Sequence, residues 1–61
     1  MTVAERLVSA RGNQRRRDVA EAVGVSVSAI SMYEAGERVP RDEIKVRLAK
    51  HYKTTVQKLF Y

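Results

Sequence analysis

Sixty-one residues allow one domain, close to the size at which a single core barely offsets chain entropy. With no cysteine, neither a disulfide framework nor a thiolate metal site can hold the fold; with no apolar run near the roughly 20 residues that span a bilayer and no charged-then-apolar leader, the chain reads as cytoplasmic, with no membrane partner. Twelve Lys and Arg against seven Asp and Glu leave a net charge of +5 and a pI near 10.1, which implies a polyanionic partner without saying which.

There is no repeat, linker, low-complexity stretch or useful alternation of apolar and polar residues, so the elements are predicted to be helices. Thr2 and Glu5, three residues apart, suit a capping box. The first helix then carries Val3, Leu7 and Val8 inward until about Arg11, and Gly12 and Asn13 turn the chain. A second helix starts near Arg16 and buries Val19, Ala20 and Val23; Gly24 falls just past its last periodic residue, where a left-handed conformation lacks steric cost only for Gly. Val25 plugs the corner. Ser26 caps a third helix, which turns Ile30 and Tyr33 inward and runs to Glu34 before Gly36 stops it. Residues 36–40 form a loop, and Pro40 sets up a fourth helix with Ile44, Leu48, Ala49 and Tyr52 on one face. Asp42 and Glu43 suit its N-terminus and Lys50 its C-terminus. Thr54 or Thr55 caps a final turn holding Val56, Leu59 and Phe60. The fold class is predicted all-α.

Residues 16–35, RRDVAEAVGVSVSAISMYEA, place two short helices across a tight turn, and the second presents small, uncharged side chains at its leading end. That is the layout of a helix-turn-helix that reads DNA. Ala20 sits where two steeply crossed helices come closest, so a larger side chain would push them apart. At this point the chain resembles the phage repressor and Cro type of helix-turn-helix, the Xre family. Ala20, Gly24, Val25 and Ile30 carry the core pattern, VSVSAISMYEAGERVP at 25–40 looks like that family's turn, recognition helix and Glu-x-Gly-x-x-x-Pro exit, and VQKLF at 56–60 is similar to its closing helix. The resemblance covers nearly the whole chain. It implies a compact five-helix bundle of the lambda-repressor-like type, with the helix-turn-helix at helices 2 and 3, in a prokaryotic or phage-encoded repressor associated with the nucleoid.

A nucleic-acid surface needs positive charge placed near phosphates. Arg15, Arg16 and Arg17 cluster at the start of the second helix, where they oppose the macrodipole at about 0.3–1 kcal/mol each unless phosphate offsets the cost. In the family this helix often begins with Gln beside the DNA backbone and follows a Ser or Thr cap; here Arg16 and Arg15 stand in those places. Ser26, Arg38 and Arg41 are the other expected phosphate contacts. Lys45, Arg47, Lys50, Lys53 and Lys58 read mostly as a solvated face. Base reading falls to Val27, Ser28, Ser31 and Met32, the outward positions of a helix about 26–34 in the major groove. Val27 and Met32 suit the methyl group of thymine, and the two serines can meet several base edges. No Arg, Asn or Gln stands there for a bidentate base contact, so phosphate contacts and DNA deformability are expected to carry more of the selectivity. Glu34 is expected to be structural, pairing with Arg11 or Arg17.

The leading expectation is a sequence-specific regulator of double-stranded DNA, acting as a weak homodimer that forms on half-sites about 34 Å apart. In the family the surface near the last helix often makes the dimer contact, which here implicates Val56, Phe60 and Tyr61. The alternative is a protein-interaction module, antitoxin-like or binding an anti-repressor, with weak or no affinity for DNA. Single-strand binding lacks the aromatic platform that stacking needs. No histidine pairs with a nucleophile, no glycine-rich phosphate loop occurs, and the adjacent Asp42 and Glu43 are explained by the helix dipole, so no enzyme is expected. His51 has no ligand at metal-binding spacing and reads as a partly buried helix residue. No cofactor is implied.

Overall fold

The computed structural model describes residues 1–61 and contains five helices: α1 (Val3–Arg11), α2 (Arg16–Val23), α3 (Val27–Ala35), α4 (Asp42–His51) and α5 (Val56–Phe60). Three of the starts are fastened by a hydroxyl. The Thr2 side chain accepts from the Glu5 N–H at 3.2 Å while the Thr2 N–H donates to the Glu5 carboxylate at 2.9 Å, completing the capping box. These bonds hold the Glu5 carboxyl below its ordinary value. Ser26 accepts from Ala29 N–H at 3.0 Å, and Thr55, rather than Thr54, accepts from Lys58 N–H at 3.1 Å. The starts of α2 and α4 follow Arg15 and Arg41 and have no side-chain cap.

Gly24 and Gly36 end α2 and α3 in the left-handed region, at φ of 85° and 74°. The Gly24 and Val25 N–H groups both donate to the Ala20 carbonyl, at 2.8 and 3.0 Å, and this doubled bond fixes the corner of the helix-turn-helix.

The core gathers Leu7, Val19, Ala20, Val23, Ala29, Ile30, Tyr33, Ile44, Leu48, Ala49, Leu59 and Phe60, with Val25, Tyr52 and Val56 partly buried against it. Helix α3 packs against α1 and α2, α2 also meets α4, and α5 closes the ring between α4 and α1. Burial of Ala20 at 2% exposure fits the expected close approach of α2 to its partner.

Two expectations are corrected. On α1 only Leu7 is buried; Val3 and Val8 are 36% and 43% exposed. The inward stripe runs instead through Ala4, Leu7 and Ala10, because α1 closes on the glycine that ends α3, where a Cβ at Gly36 would lie 3.7 Å from that of Ala4. A helix approaching that closely needs alanine, not valine, at the contact. Phe60 is buried at 7% exposure and belongs to the core rather than to a free surface, since α5 has only one turn and uses both Leu59 and Phe60 to seal the bundle. Tyr61 is exposed.

Candidate nucleic-acid interface

Helix α3 divides cleanly. Ala29, Ile30 and Tyr33 face the core, and Val27, Ser28 and Met32 face outward with Ser31 half-buried at the margin. Val27 and Met32 are 43% and 40% exposed, far more than a core position allows, so neither is a core residue. The outward face therefore carries two apolar side chains, two hydroxyls and no charge. Ser26, at the head of the helix, accepts a bond as its cap and keeps its O–H as a donor.

On one side of α3 lies the start of α2. The Glu34 carboxylate, with 4% of its side chain exposed, accepts from Arg11 Nε at 2.7 Å and from Arg16 Nε at 3.0 Å. Arg11 also donates through Nη1 to the Gln14 carbonyl at 2.9 Å, and its bond to Glu34 raises its pKa further above the ordinary arginine value. The expected pairing of Glu34 with Arg11 is present; the alternative partner, Arg17, is replaced by Arg16. Neighbouring residues of a helix point about 100° apart, so only one of the two can turn toward α3. The Arg16 side chain remains half exposed, its Nη nitrogens unbonded by protein.

Behind this network, burial pushes the Tyr52 hydroxyl up to about 12, with the charge of Glu34 adding to the effect. His51 Nε2 meets Gln14 Oε1 at 2.7 Å, which ties the end of α4 to the α1–α2 turn. His51 is half-buried there, as expected.

On the other side of α3, Arg38 and Arg41 share a cavity wall with Val25, Ala29 and Tyr33. Neither makes an ion pair, and the same is true of Arg15 and Arg17. Four exposed arginines without a carboxylate therefore flank the outward face of α3, and two of them, Arg15 and Arg41, stand at the two helix starts that lack a side-chain cap. The first-turn N–H groups of such a helix have no intrahelical acceptor and favour an anion.

Two basic residues assigned to a solvated face have structural partners. Lys45 is only 12% exposed; its Nζ donates to the Tyr61 hydroxyl at 3.1 Å and lies 5.6 Å from the Phe60 ring centroid. Arg47 Nη1 donates to the Val23 carbonyl at 3.4 Å, at the C-terminal end of α2. Both contacts are long-range in sequence and leave no local signal. Lys50, Lys53 and Lys58 are exposed, as expected.

No helix is long and apolar enough to cross a membrane. Searches of curated proteins and of solved structures each found no match. A family model described as helix-turn-helix matches residues 3–59, covering all but the ends of the chain. The match runs from the first residue of α1 to the last but one of α5, so the chain belongs to the helix-turn-helix family of the Xre, lambda-repressor-like type, whose members bind DNA.

Proposed function

We propose that this protein is a repressor-like transcription regulator that binds double-stranded DNA sequence-specifically, with α3 in the major groove. The observation that carries the reading is the coincidence of uncapped helix starts with unpaired arginines, Arg15 and Arg17 at one and Arg38 and Arg41 at the other, on both sides of a recognition helix with an uncharged outward face. Arginine charge at a helix N-terminus opposes the macrodipole, and a phosphate accepting from the uncapped N–H groups offsets that repulsion. Arg15, Arg16, Arg17, Ser26, Arg38 and Arg41 meet the backbone; Val27, Ser28, Ser31 and Met32 meet base edges, with thymine methyls against Val27 and Met32. Two copies bind as a weak homodimer, formed on DNA through the surface at Val56 and Tyr61.

Selection from a random duplex library at about 150 mM salt tests this reading. An enriched inverted repeat with half-sites one helical turn apart supports it. Recovery without enrichment leaves a nonspecific binder, and no recovery favours the protein-interaction module. Replacing thymine by deoxyuridine in a selected site removes methyl groups and leaves every base-pair hydrogen bond intact, so binding weakens only where Val27 or Met32 makes contact.

A further inference from the structure

A cavity of about 440 Å³ opens where the start of α1, the end of α3 and the α3–α4 connection meet. Apolar walls come from Val3, Ala4, Ala35 and Phe60. The charged groups lining it are Arg38 and Lys45, and no carboxylate lines it. Its size falls in the range of small-molecule sites, roughly 300–1,000 Å³. Lys45 uses one donor on Tyr61, and its nearest carboxylate, the fully exposed Asp42, is 3.9 Å away. An ammonium group has three donors, so Lys45 retains capacity for an anion.

A second cavity, of about 230 Å³, lies on the other side of the same connection, and Tyr33, Arg38 and Val39 line both. The Arg38, Val39 and Arg41 N–H groups make no hydrogen bond within the protein. Val39 is 73% exposed, and Pro40 is the buried residue of the segment. The connection is thus a strap between two voids.

We propose that the larger cavity binds a small amphipathic carboxylate, its apolar body against Val3, Ala4 and Phe60 and its anionic head on Lys45 and Arg38, and that occupancy lowers affinity for DNA. The coupling rests on the reading of Arg38 and Arg41 as phosphate contacts: an anion in the cavity competes with phosphate for Arg38 and shifts the strap that carries both. Linkage makes the effect reciprocal, so duplex equally weakens the anion.

Octanoate is the probe, with octanol supplying the chain without the charge and acetate the charge without the chain. Titrated into the whole protein at about 150 mM salt and followed by amide NMR, octanoate saturates with Kd below about 1 mM. It shifts the amides of Ala4, Ala35, Gly36 and Val39; octanol and acetate bind about tenfold more weakly or worse. Lys45→Met, which keeps the apolar stem, loses about tenfold for octanoate. Ala35→Leu, at an exposed position on the rim, narrows the cavity and gives the same loss should Lys45→Met fold poorly. Saturating octanoate weakens duplex binding about fivefold or more. Shifts scattered over the surface, or equal binding of octanol, overturn the site. Binding at these amides with unchanged duplex affinity overturns the coupling. A protein that takes octanoate there but binds no duplex upholds the site and overturns the DNA-binding reading.

Discussion

The two connections that follow left-handed glycines differ sharply. After Gly24 the chain turns a corner in which two N–H groups share the Ala20 carbonyl, Ser26 caps the next helix, and the Arg47 side chain braces the end of α2. After Gly36 the chain runs through Arg38 and Val39 with unbonded N–H groups, beside two cavities, to a helix start without a side-chain cap. The contrast matches the two roles proposed for these segments. Base edges sit at fixed positions in the groove, so the element that reads them must be held in register. Phosphates follow a backbone whose path varies with sequence, and arginines on a slack segment can follow it.

The largest expected effect tests whether the tight corner is the stability centre. Ile30→Ala, at 2% exposure, costs about 3–4 kcal/mol within the roughly 2–5 observed for such truncations, a large share of the roughly 3–9 kcal/mol expected of a domain this small. Urea denaturation checks it. Glu34→Ala comes next at about 2–3 kcal/mol, less than the roughly 3–5 of a fully buried pair because Arg11 and Arg16 still reach water; the same variant should lower duplex affinity by freeing Arg16.

The two glycines give a direct comparison. Alanine at either costs about 1–2 kcal/mol from the left-handed backbone alone. At Gly24 the new Cβ also lies 3.3 Å from Arg47 Nη1, whereas at Gly36 it meets Ala4 at an ordinary 3.7 Å. Gly24→Ala should therefore show the lower Tm, and equal melting temperatures would remove Arg47 as a brace.

A pH series probes the packing behind the corner. The folded state raises the Tyr52 pKa to about 12 from an ordinary 10.0, so it favours the neutral phenol. That contribution is complete below pH 10 and is lost as pH rises through about 12. Tyr52→Phe should flatten this part of the stability profile. The smallest effect belongs to the slack segment: Val39→Ala should change stability by less than about 0.5 kcal/mol, and a larger loss would mean that the strap is better anchored than its exposure suggests.

What could be read from sequence was whatever is local. Capping hydroxyls at Thr2 and Ser26, glycines at 24 and 36, and the 3.6-residue spacing of Val19, Val23, Ile30 and Tyr33 each act within a turn or two, and each stands where its pattern placed it. Choices between adjacent residues were not legible. Hydrophobicity favoured Val3 and Val8 on α1, but the closeness of α1 to α3 selected alanines. Arg16 rather than Arg17 meets Glu34 because of how α2 is rotated against α3, a property of no single segment. Phe60 could have faced either way from a one-turn helix; the need to close a small core decided it. The cavity beside Lys45 had no signal at all, being assembled from segments far apart in the chain.

The shared carboxylate of Glu34 has a consequence for the energetics of association. Among three consecutive arginines, Arg16 alone is oriented before any duplex arrives. An interfacial side chain that must be immobilised on binding loses about 0.5–1.5 kcal/mol of rotamer entropy; for Arg16 most of that loss has already occurred on folding. Arg15 and Arg17 should bind phosphate with a larger unfavourable entropy, so their contributions fade faster on warming, and a van't Hoff comparison of the three single Arg→Gln variants would separate the preorganised contact from the two that order on arrival.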